Sequence, residues 1–396
     1  MLKVFTFMIY LIYEGCDKMS TLLQRYREDL HQIPEISLKE FKTKEYLYNE
    51  LKSLGYSPIE VLDTGLLVYI DNNNSETVAF RSDIDALPVL EENDIPFKSK
   101  HEGAMHACGH DGHMSMLLGL ADYLKDKKDI LKKNVLLIFQ PAEESIGGAK
   151  QICDLGVLKE YKVKAIFGIH LYPELDQGIV ASRPGEFMAK ASEINIEIHG
   201  KTAHGAMPQN GIDSNIILAK MLLEFQNIQT RMLSPLEYSI ITFGKIEGGF
   251  VRNVISDYAR MEGTVRAFNS EVFNKIVDGI NAIASSYEAL YGCKIDINMT
   301  EGYLPVINDE ILYKRLQNAV RDFEFYEFPK PLMIAEDFSF YQNEVPGVFY
   351  YIGTKNEKLG FINSLHSSKF NFDSQALMIG LETYKKVLVE MEVLNE

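Results

Sequence analysis

The first half of the chain contains four short runs of nearly continuous apolar residues, at Leu66–Ile70, Val78–Phe80, Val135–Phe139 and Ala165–Ile169. Runs of this length are typical of strands and are too short for buried helices. Helical patterns lie between them, for example over His113–Lys125. Strands that are apolar on both faces are typical of parallel sheets covered by helices. The pattern therefore predicts an α/β fold with a mostly parallel sheet.

The apolar pattern changes after Pro184-Gly185, where strands begin to alternate apolar and polar residues. Six elements are predicted there in chain order: a strand at 194–198, a helix over Asp213–Leu233, strands over Tyr238–Ile246 and Tyr258–Ala267, a helix over 272–287 and a strand over Lys294–Met299. The order strand, helix, strand, strand, helix, strand is typical of a ferredoxin-like α+β domain. We therefore expect such a domain to be inserted into the larger α/β domain.

Two later segments indicate that the chain returns to the first domain after this insertion. Pro346–Ile352 has the pattern of a buried strand, and Gln375–Met391 that of a closing helix. We therefore expect the first domain to comprise residues 20–186 and 302–396, and the inserted domain to comprise residues 187–301. A chain of 396 residues is long enough for two such domains.

Metal-ligand side chains are concentrated just before the helical pattern at His113. Three of the nine histidines, His106, His110 and His113, lie within eight residues, and Cys108 lies among them. A thiolate and an imidazole two residues apart can face one ion, and Gly109 lets the backbone turn tightly between them. Alternatively, Asp111 caps the helix and the histidines are incidental. His106 and His113 can also support the site without binding metal.

Other polar side chains follow the predicted strands, at the edge where sites in parallel sheets gather. Glu143 and Glu144 follow the third run, and His170 ends the fourth. One carboxylate of an adjacent pair can bind a metal while the other acts as a base, which is the combination that hydrolysis requires. Asp83 and Asp85 follow the second run and either orient a histidine or pair with Arg81. The sequence thus favours a metal-dependent hydrolytic site.

Charge and cysteine content limit the partners and the compartment. The chain has 40 Lys and Arg against 56 Asp and Glu, a net charge of −16, so nucleic acid and anionic membranes are not expected as partners. The four cysteines are far apart, which favours a reducing, cytoplasmic location over a disulfide framework. The apolar run Val4–Tyr13 indicates either an upstream start with Met19 opening the chain, or a signal or anchor.

Several motifs together resemble one known family between about Leu30 and Asp373. They are His31-Gln32-Ile33-Pro34-Glu35, the Arg-Ser-Asp-Ile-Asp-Ala-Leu-Pro run from Arg81, His-Ala-Cys-Gly-His-Asp from His106, Gln-Pro-Ala-Glu-Glu from Gln140, Gly168-Ile169-His170, Thr202-Ala203-His204 and Leu365-His366. The chain resembles the dinuclear metal amidohydrolases and exopeptidases that include hippurate hydrolase, plant auxin-conjugate hydrolases and bacterial N-acetyldiaminopimelate deacetylase. The resemblance implies two divalent metal ions per chain, with zinc, manganese, nickel and cobalt all compatible with the ligands.

The same resemblance implies a ligand set. Cys108 would bridge the two ions. His110 and His170 would complete the site of one ion. Glu144 and His366 would complete the site of the other. In many relatives a ligating histidine stands where this chain has Arg81, and His110 is expected to compensate.

The resemblance also implies roles in catalysis and substrate binding. Glu143 would be the general base, and Asp83 would orient a group that binds metal. His204 would reach across a homodimer, formed through the inserted domain, to the scissile carbonyl. Asn253 and Arg266 would bind the substrate's oxygen and carboxylate.

The activity expected from this resemblance is hydrolysis of the amide bond of a small N-acyl amino acid by a metal-activated water. Gly147-Gly148-Ala149 and Pro173-Glu174-Leu175 resemble the acetyldiaminopimelate deacetylases more than the auxin-conjugate hydrolases. The expected substrates are therefore N-acetyldiaminopimelate or hippurate-like compounds. Two alternatives stay open: a dipeptidase or carboxypeptidase that acts on peptide bonds, and a catalytically silent binding member of the fold. Metal content separates the silent member from the enzymes, because a silent module has no need to retain two ions.

Overall fold

The structure, a computed structural model, describes residues 18–145 and 147–395. The apolar run Val4–Tyr13 therefore lies outside the described residues. Within them, no helix is both long and apolar enough to cross a membrane. The chain divides into two compact units, the first comprising the chain up to Gly185, Ile307–Pro329 and Phe340–Glu396, and the second comprising Glu186–Val306 and Lys330–Ser339.

The helices and strands are numbered here along the chain. In chain order the helices are α1 (18–31), α2 (Phe41–Ser53), α3 (His110–Leu124), α4 (Gly148–Asp154), α5 (Val157–Glu160), α6 (Ser214–Asn227), α7 (Ser270–Tyr291), α8 (Glu310–Ala319), α9 (Ser339–Glu344) and α10 (Gln375–Glu390). In chain order the strands are β1 (Ile59–Val61), β2 (Gly65–Ile70), β3 (Thr77–Asp83), β4 (Asn134–Gln140), β5 (Val163–Asp176), β6 (Val180–Ser182), β7 (Gly185–Met188), β8 (Lys190–His199), β9 (Ala203–His204), β10 (Ser239–Gly248), β11 (Val254–Ile255), β12 (Tyr258–Ala267), β13 (Lys294–Met299), β14 (Val306–Asn308), β15 (Phe325–Glu327) and β16 (Gly347–Lys355).

The first unit is built on a large mixed sheet. Among the described residues its strands have the order β1-β2-β4-β3-β5-β16-β6-β15, and the central strands β4, β3, β5 and β16 are mutually parallel. Residues of α3 and α10 belong to the same apolar core as β3, β4 and β5, as expected for strands buried on both faces. The predicted α/β class with a mostly parallel sheet is confirmed.

One strand is longer than the sequence predicts. The fourth apolar run lies within β5, but this strand continues through His170 to Asp176. It continues because β16 pairs with it in parallel register, from Gly347 opposite Ile166 to Lys355 opposite Asp176. Polar residues at the end of β5 hide this extension from a pattern based on hydrophobicity alone.

The second unit contains an antiparallel sheet of order β10-β12-β8-β13, with α6 and α7 in its apolar core. This strand order and the two helices give the ferredoxin-like α+β fold that the sequence predicts. Ile194, Ile196 and Ile198 of β8 are fully buried and form one face of the sheet. The segment Lys330–Ser339 also belongs to this unit, although the sequence places the insertion within 187–301.

Candidate metal centre

Cys108 and His110 are placed by a tight turn that leads into α3. Gly109 lies between them with a φ of 84°, a left-handed conformation that glycine adopts without strain. A Cβ at this position would also lie 3.3 Å from Leu171 Cδ1. His110 is the first residue of α3, so the turn presents the thiol and the imidazole from successive parts of the chain.

Five predicted ligand side chains converge at this turn. Cys108 Sγ lies 3.4 Å from His170 Nε2 and 3.3 Å from His366 Nε2. Cys108, His110 and His170 form one group whose ligand atoms all lie within 4.8 Å of one another, and Cys108, Glu144 and His366 form a second. The structure thus brings together the two sets that the family resemblance implies, with the thiol common to both. Their role as metal ligands stays a prediction.

The hydrogen bonds of two histidines leave their Nε2 atoms suited to bind metal. His110 Nδ1 donates to the main-chain oxygen of Asp85 at 2.9 Å, and His170 Nδ1 donates to that of Leu171 at 2.6 Å. Because Nδ1 keeps its proton for these bonds, Nε2 is the nitrogen that would bind a metal ion once its own proton is released, and such bonds are how proteins orient histidine ligands. Both rings are buried.

His366 is held in place by its backbone. It has a φ of 64°, which is uncommon for a residue with a side chain, and its N–H donates to the oxygen of Ala107 at 2.8 Å. This bond joins the C-terminal loop to the turn that carries Cys108. Its side chain is 55% exposed, whereas those of Cys108 and His170 are buried. The group therefore opens to solvent on the His366 side.

The electrostatics of the group fit positive charge. Burial, with the Glu144 and Glu143 carboxylates, raises the pKa of the Cys108 thiol well above its usual value. Burial opposes protonation of His110, yet Asp83, Asp85 and Glu144 outweigh it and raise its pKa to about 10. Within the part of the chain that the structure describes, His110 Nε2 and Glu144 Oε1 have no hydrogen-bond partner. A thiol, imidazoles and carboxylates in this arrangement suit divalent cations.

The two glutamates at the end of β4 have different surroundings. Glu144 belongs with Cys108 and His366, and its Oε1 lies 3.5 Å from His366 Nε2. Glu143 is 7% exposed and lies with His110 and Glu144 in a third group. This arrangement is compatible with one ligand beside one base, and that division of roles stays a prediction.

Asp83 is hydrogen-bonded to His113, whose two ring nitrogens are both engaged. Asp83 Oδ1 accepts from His113 Nδ1 at 2.6 Å, and His113 Nε2 accepts from the N–H of Leu171, next to His170, at 2.9 Å. Asp83 also pairs with Arg81 at 2.8 Å and lies 3.7 Å from His110 Nε2. Of the roles that the sequence left open for His113, the structure therefore favours support of the β5 backbone beside His170.

The predicted substrate-binding residues lie in the second unit. His204 on β9 is opposite Val254 on β11, and Gly205 N–H donates to the oxygen of Asn253 at 2.8 Å. His204 and Asn253 thus share one short ribbon. Arg266 lies on β12, opposite Ala191 and Ile240, and its guanidinium donates to Thr264 Oγ1. The catalytic and binding roles of these three residues stay predictions.

A buried ionic cluster that the sequence does not reveal adjoins the turn of the candidate metal centre. His31 Nδ1 lies 2.8 Å from Asp111 Oδ2, and His31 Nε2 lies 3.1 Å from Glu91 Oε1. Arg27 Nε lies 3.4 Å from Asp111, and its Nη1 donates to the oxygen of Phe372 at 2.7 Å. The cluster therefore connects α1 to α3 and to the loop that follows His366.

This cluster predicts a loss of stability at alkaline pH. Burial lowers the pKa of His31, but Asp111 and Glu91 outweigh burial and raise it from 6.5 to about 9. The stabilisation from the charged ring is complete below pH 6.5 and is lost as the pH rises through about 9. We expect His31 to contribute about 3 kcal/mol to the fall in the free energy of unfolding across this window. Urea unfolding between pH 6 and pH 10, with chelator present, measures the change.

The variant H31Q tests whether His31 causes this dependence. H31Q should be less stable than the wild type at pH 6, and on going to pH 10 it should lose about 3 kcal/mol less stability than the wild type does. His199 on β8 provides the control, because H199Q leaves the cluster of His31, Asp111 and Glu91 intact and should retain the contribution of His31. An unchanged alkaline loss in H31Q would assign it to another group.

Comparisons with known proteins identify the family of this chain. The sequence profile of peptidase family M20/M25/M40 matches residues 79–390. An uncharacterised hydrolase of Staphylococcus aureus strain USA300 is 37% identical over 369 residues, which cover 92% of this chain and 96% of that protein.

Two solved structures are similar over nearly the whole chain. One, assigned as an aminohydrolase of methicillin-resistant Staphylococcus aureus, has a TM-score of 0.90 and 31% identity, and the match covers 96% of this chain and 98% of that one. The other, described as a dinuclear metal binding peptidase of the M20 family from Bacillus subtilis, has a TM-score of 0.83 and 30% identity, with coverages of 95% and 99%.

Proposed function

The chain is a hydrolase that belongs to peptidase family M20/M25/M40, and we propose that it cleaves the amide bond of N-acyl amino acids with two divalent metal ions and Glu143 as general base. The convergence of two ligand groups on Cys108, with Glu143 beside them, carries this proposal. The Bacillus subtilis relative, described as dinuclear, supports the number of ions.

The side chains have distinct tasks in this proposal. Cys108 is common to both groups, His110 and His170 complete one, and Glu144 and His366 complete the other. Bound divalent cations would lower the pKa of a shared water and polarise the substrate carbonyl. Glu143 takes a proton from the attacking water and delivers it to the leaving amine.

Arg266 binds the substrate's carboxylate in this proposal, and Asn253 binds its oxygen. A chain with a net charge of −16 needs local positive charge to bind a carboxylate, and Arg266 supplies it. The segments Gly147-Gly148-Ala149 and Pro173-Glu174-Leu175 resemble those of the acetyldiaminopimelate deacetylases more than those of the auxin-conjugate hydrolases, which supports N-acetyldiaminopimelate as a substrate.

A substrate panel tests the proposed activity. Purified protein is loaded separately with zinc, manganese, nickel or cobalt and is assayed with N-acetyldiaminopimelate, hippurate and a series of dipeptides. Release of free amine from the N-acyl substrates, with kcat/KM at least about tenfold above that for every dipeptide, supports the proposal. A preference for dipeptides would identify a peptidase. Full metal loading without any turnover would indicate a binding protein.

We further propose a homodimer, formed through the second unit, in which His204 of one protomer serves the metal centre of its partner. β10 lies at one edge of its sheet and is paired on its other side with β12. Leu236, Tyr238 and Ile246 on and before this strand are exposed. An edge with exposed apolar residues favours pairing with another copy.

Mixing two inactive variants tests this arrangement. H204A and E143Q should each have very low activity, but exchange of their subunits should restore about one quarter of the wild-type rate, since about half the dimers are mixed and each mixed dimer has one complete site of two. Two samples of H204A, exchanged in the same way, are the control. If mixing restores nothing although native mass spectrometry shows mixed dimers, His204 does not act across the dimer.

A further inference from the structure

The turn that carries Glu143 is held in a strained conformation. Ala142, the residue before the proposed base, has a φ of 57°. The left-handed region costs a residue with a side chain about 1–2 kcal/mol. The turn is also tight, because Gly148 N–H donates to the oxygen of Ala142 at 3.1 Å and a Cβ at Gly148 would lie 1.8 Å from the oxygen of Pro141. Such a turn persists only when its surroundings hold it.

Two buried carboxylates hold the backbone amides on either side of Glu143. The N–H of Ala142 donates to Glu40 Oε1 at 2.9 Å, and the N–H of Glu144 donates to Asp85 Oδ2 at 3.0 Å. Glu40 and Asp85 are both fully buried. Glu143 therefore lies between two amides that are each fixed by a charge-assisted hydrogen bond, the stronger type of hydrogen bond.

The hydrogen bonds of Glu40 show that its carboxylate does not cap the helix that it precedes. Glu40 is the N-cap residue of α2, yet its side chain makes no capping hydrogen bond. Glu35 caps the helix instead, since its Oε2 accepts hydrogen bonds from both the N–H and the hydroxyl of Thr43, at 2.9 and 3.1 Å. Glu40 reaches 102 residues along the chain to Ala142, and its second oxygen accepts from Thr64 Oγ1 at 2.8 Å.

Burial makes this arrangement costly, so it calls for an explanation. Removing a carboxylate from water disfavours its charged form, and burial does raise the pKa of Glu40. A capping role at α2 needs no such burial. The two hydrogen bonds that Glu40 accepts compensate part of the cost, and one of them fixes the strained residue next to the proposed base.

We propose that Glu40 is a positioning residue for hydrolysis, which holds the left-handed Ala142 turn through the Ala142 N–H and so keeps the Glu143 carboxylate where it exchanges protons. This inference rests on the proposed function of Glu143. A misplacement of about 1 Å at a reacting group can cost about a hundredfold in rate, so loss of this bond should appear in kcat. Metal binding should persist, because Asp85 still holds Glu144.

Two substitutions at Glu40 separate the hydrogen bond from the charge. E40D keeps the charge but withdraws the carboxylate by about 1.5 Å, one carbon–carbon bond, out of reach of Ala142. E40Q removes the charge but keeps an oxygen for Ala142 and a donor for Thr64. We expect E40D to lower kcat about 10-fold to 100-fold with KM changed less than about threefold. E40Q should retain at least about half of the wild-type kcat.

The control is E35A, which removes the cap of the same helix without touching Ala142. It should lower the unfolding temperature while leaving kcat unchanged. Metal content and unfolding temperature are measured for every variant, and each variant should retain the wild-type number of ions. The inference is overturned if E40D keeps the wild-type kcat, if E40Q loses as much as E40D, or if E35A lowers kcat equally.

Failure of this inference can be distinguished from failure of the proposed function. If E143Q is as active as the wild type, Glu143 is not the base and the proposed function fails. If E143Q is inactive while E40D matches the wild type, the role of Glu143 as base is supported and only the positioning role of Glu40 fails.

Discussion

Glu143→Gln should lower kcat by at least about a thousandfold, within the range that positioned acid–base groups contribute, and should leave the metal content unchanged. The amide of glutamine has nearly the shape of the carboxylate but cannot accept a proton from water. The side chain is 7% exposed and lies with His110 and Glu144, so the substitution preserves packing. Steady-state kinetics with the substrate found in the panel, and elemental analysis of the same samples, measure both quantities.

The neighbouring carboxylate provides a matched contrast for this experiment. Glu144→Gln removes charge one residue away, but Glu144 belongs to the group with Cys108 and His366. E144Q should therefore lose metal as well as activity, whereas E143Q should lose activity alone. A wild-type rate in E143Q would contradict its role as base, and loss of metal in E143Q would make it a ligand instead.

The sequence predicts those parts of the candidate site whose residues lie close together along the chain. Cys108 and His110 are two residues apart, and Glu143 and Glu144 are adjacent, so their spacing alone indicates a shared centre. His170 and His366 are single histidines, and only the family resemblance assigns them to it. The structure brings them within 3.4 Å and 3.3 Å of Cys108 Sγ because parallel pairing of β3 with β5 and the bond from His366 to Ala107 fold distant segments together.

The buried residues that support the site could not be predicted from the sequence, because the residues that they contact are far away along the chain. Glu40 contacts Ala142 across 102 residues, and Arg27 contacts Phe372 across 345. The neighbouring residues do not distinguish either side chain. Glutamate is common at the N-terminal end of a helix, and an arginine within a helix is ordinarily exposed. Burial and hydrogen bonding in the folded chain are what distinguish them.

The fold was predicted where hydrophobic period and strand length agree, as in β8, whose alternate isoleucines are buried. It was not predicted where the geometry of a helix changes or where distant segments of the backbone pair. The sequence predicts a helix to Leu233, but α6 ends at Asn227 and a π-helical turn over Ile228–Met232 follows. The segment Lys330–Ser339 joins the second unit through backbone bonds such as Leu332 N–H to the oxygen of Phe187, which no periodicity reveals.

Cys108→Ala should abolish retention of both metal ions and, with them, the hydrolytic activity. Its Sγ is the atom that the two ligand groups share, so its removal takes one donor from each group at once. A single-histidine variant such as H170A removes a donor from one group only and should lose one ion more readily than the other. Dialysis against a weak chelator, followed by elemental analysis, measures the ions retained per chain.

Cys153 supplies the control, because it too is a buried cysteine, on α4. C153A creates a comparable small cavity, with a stability cost of about 1 kcal/mol, but should retain the wild-type metal content and kcat. The contrast between the two variants separates loss of a ligand from loss of packing. If C108A retains both ions as firmly as C153A does, the sulfur does not bridge them, and the centre must rest on the histidines and carboxylates alone.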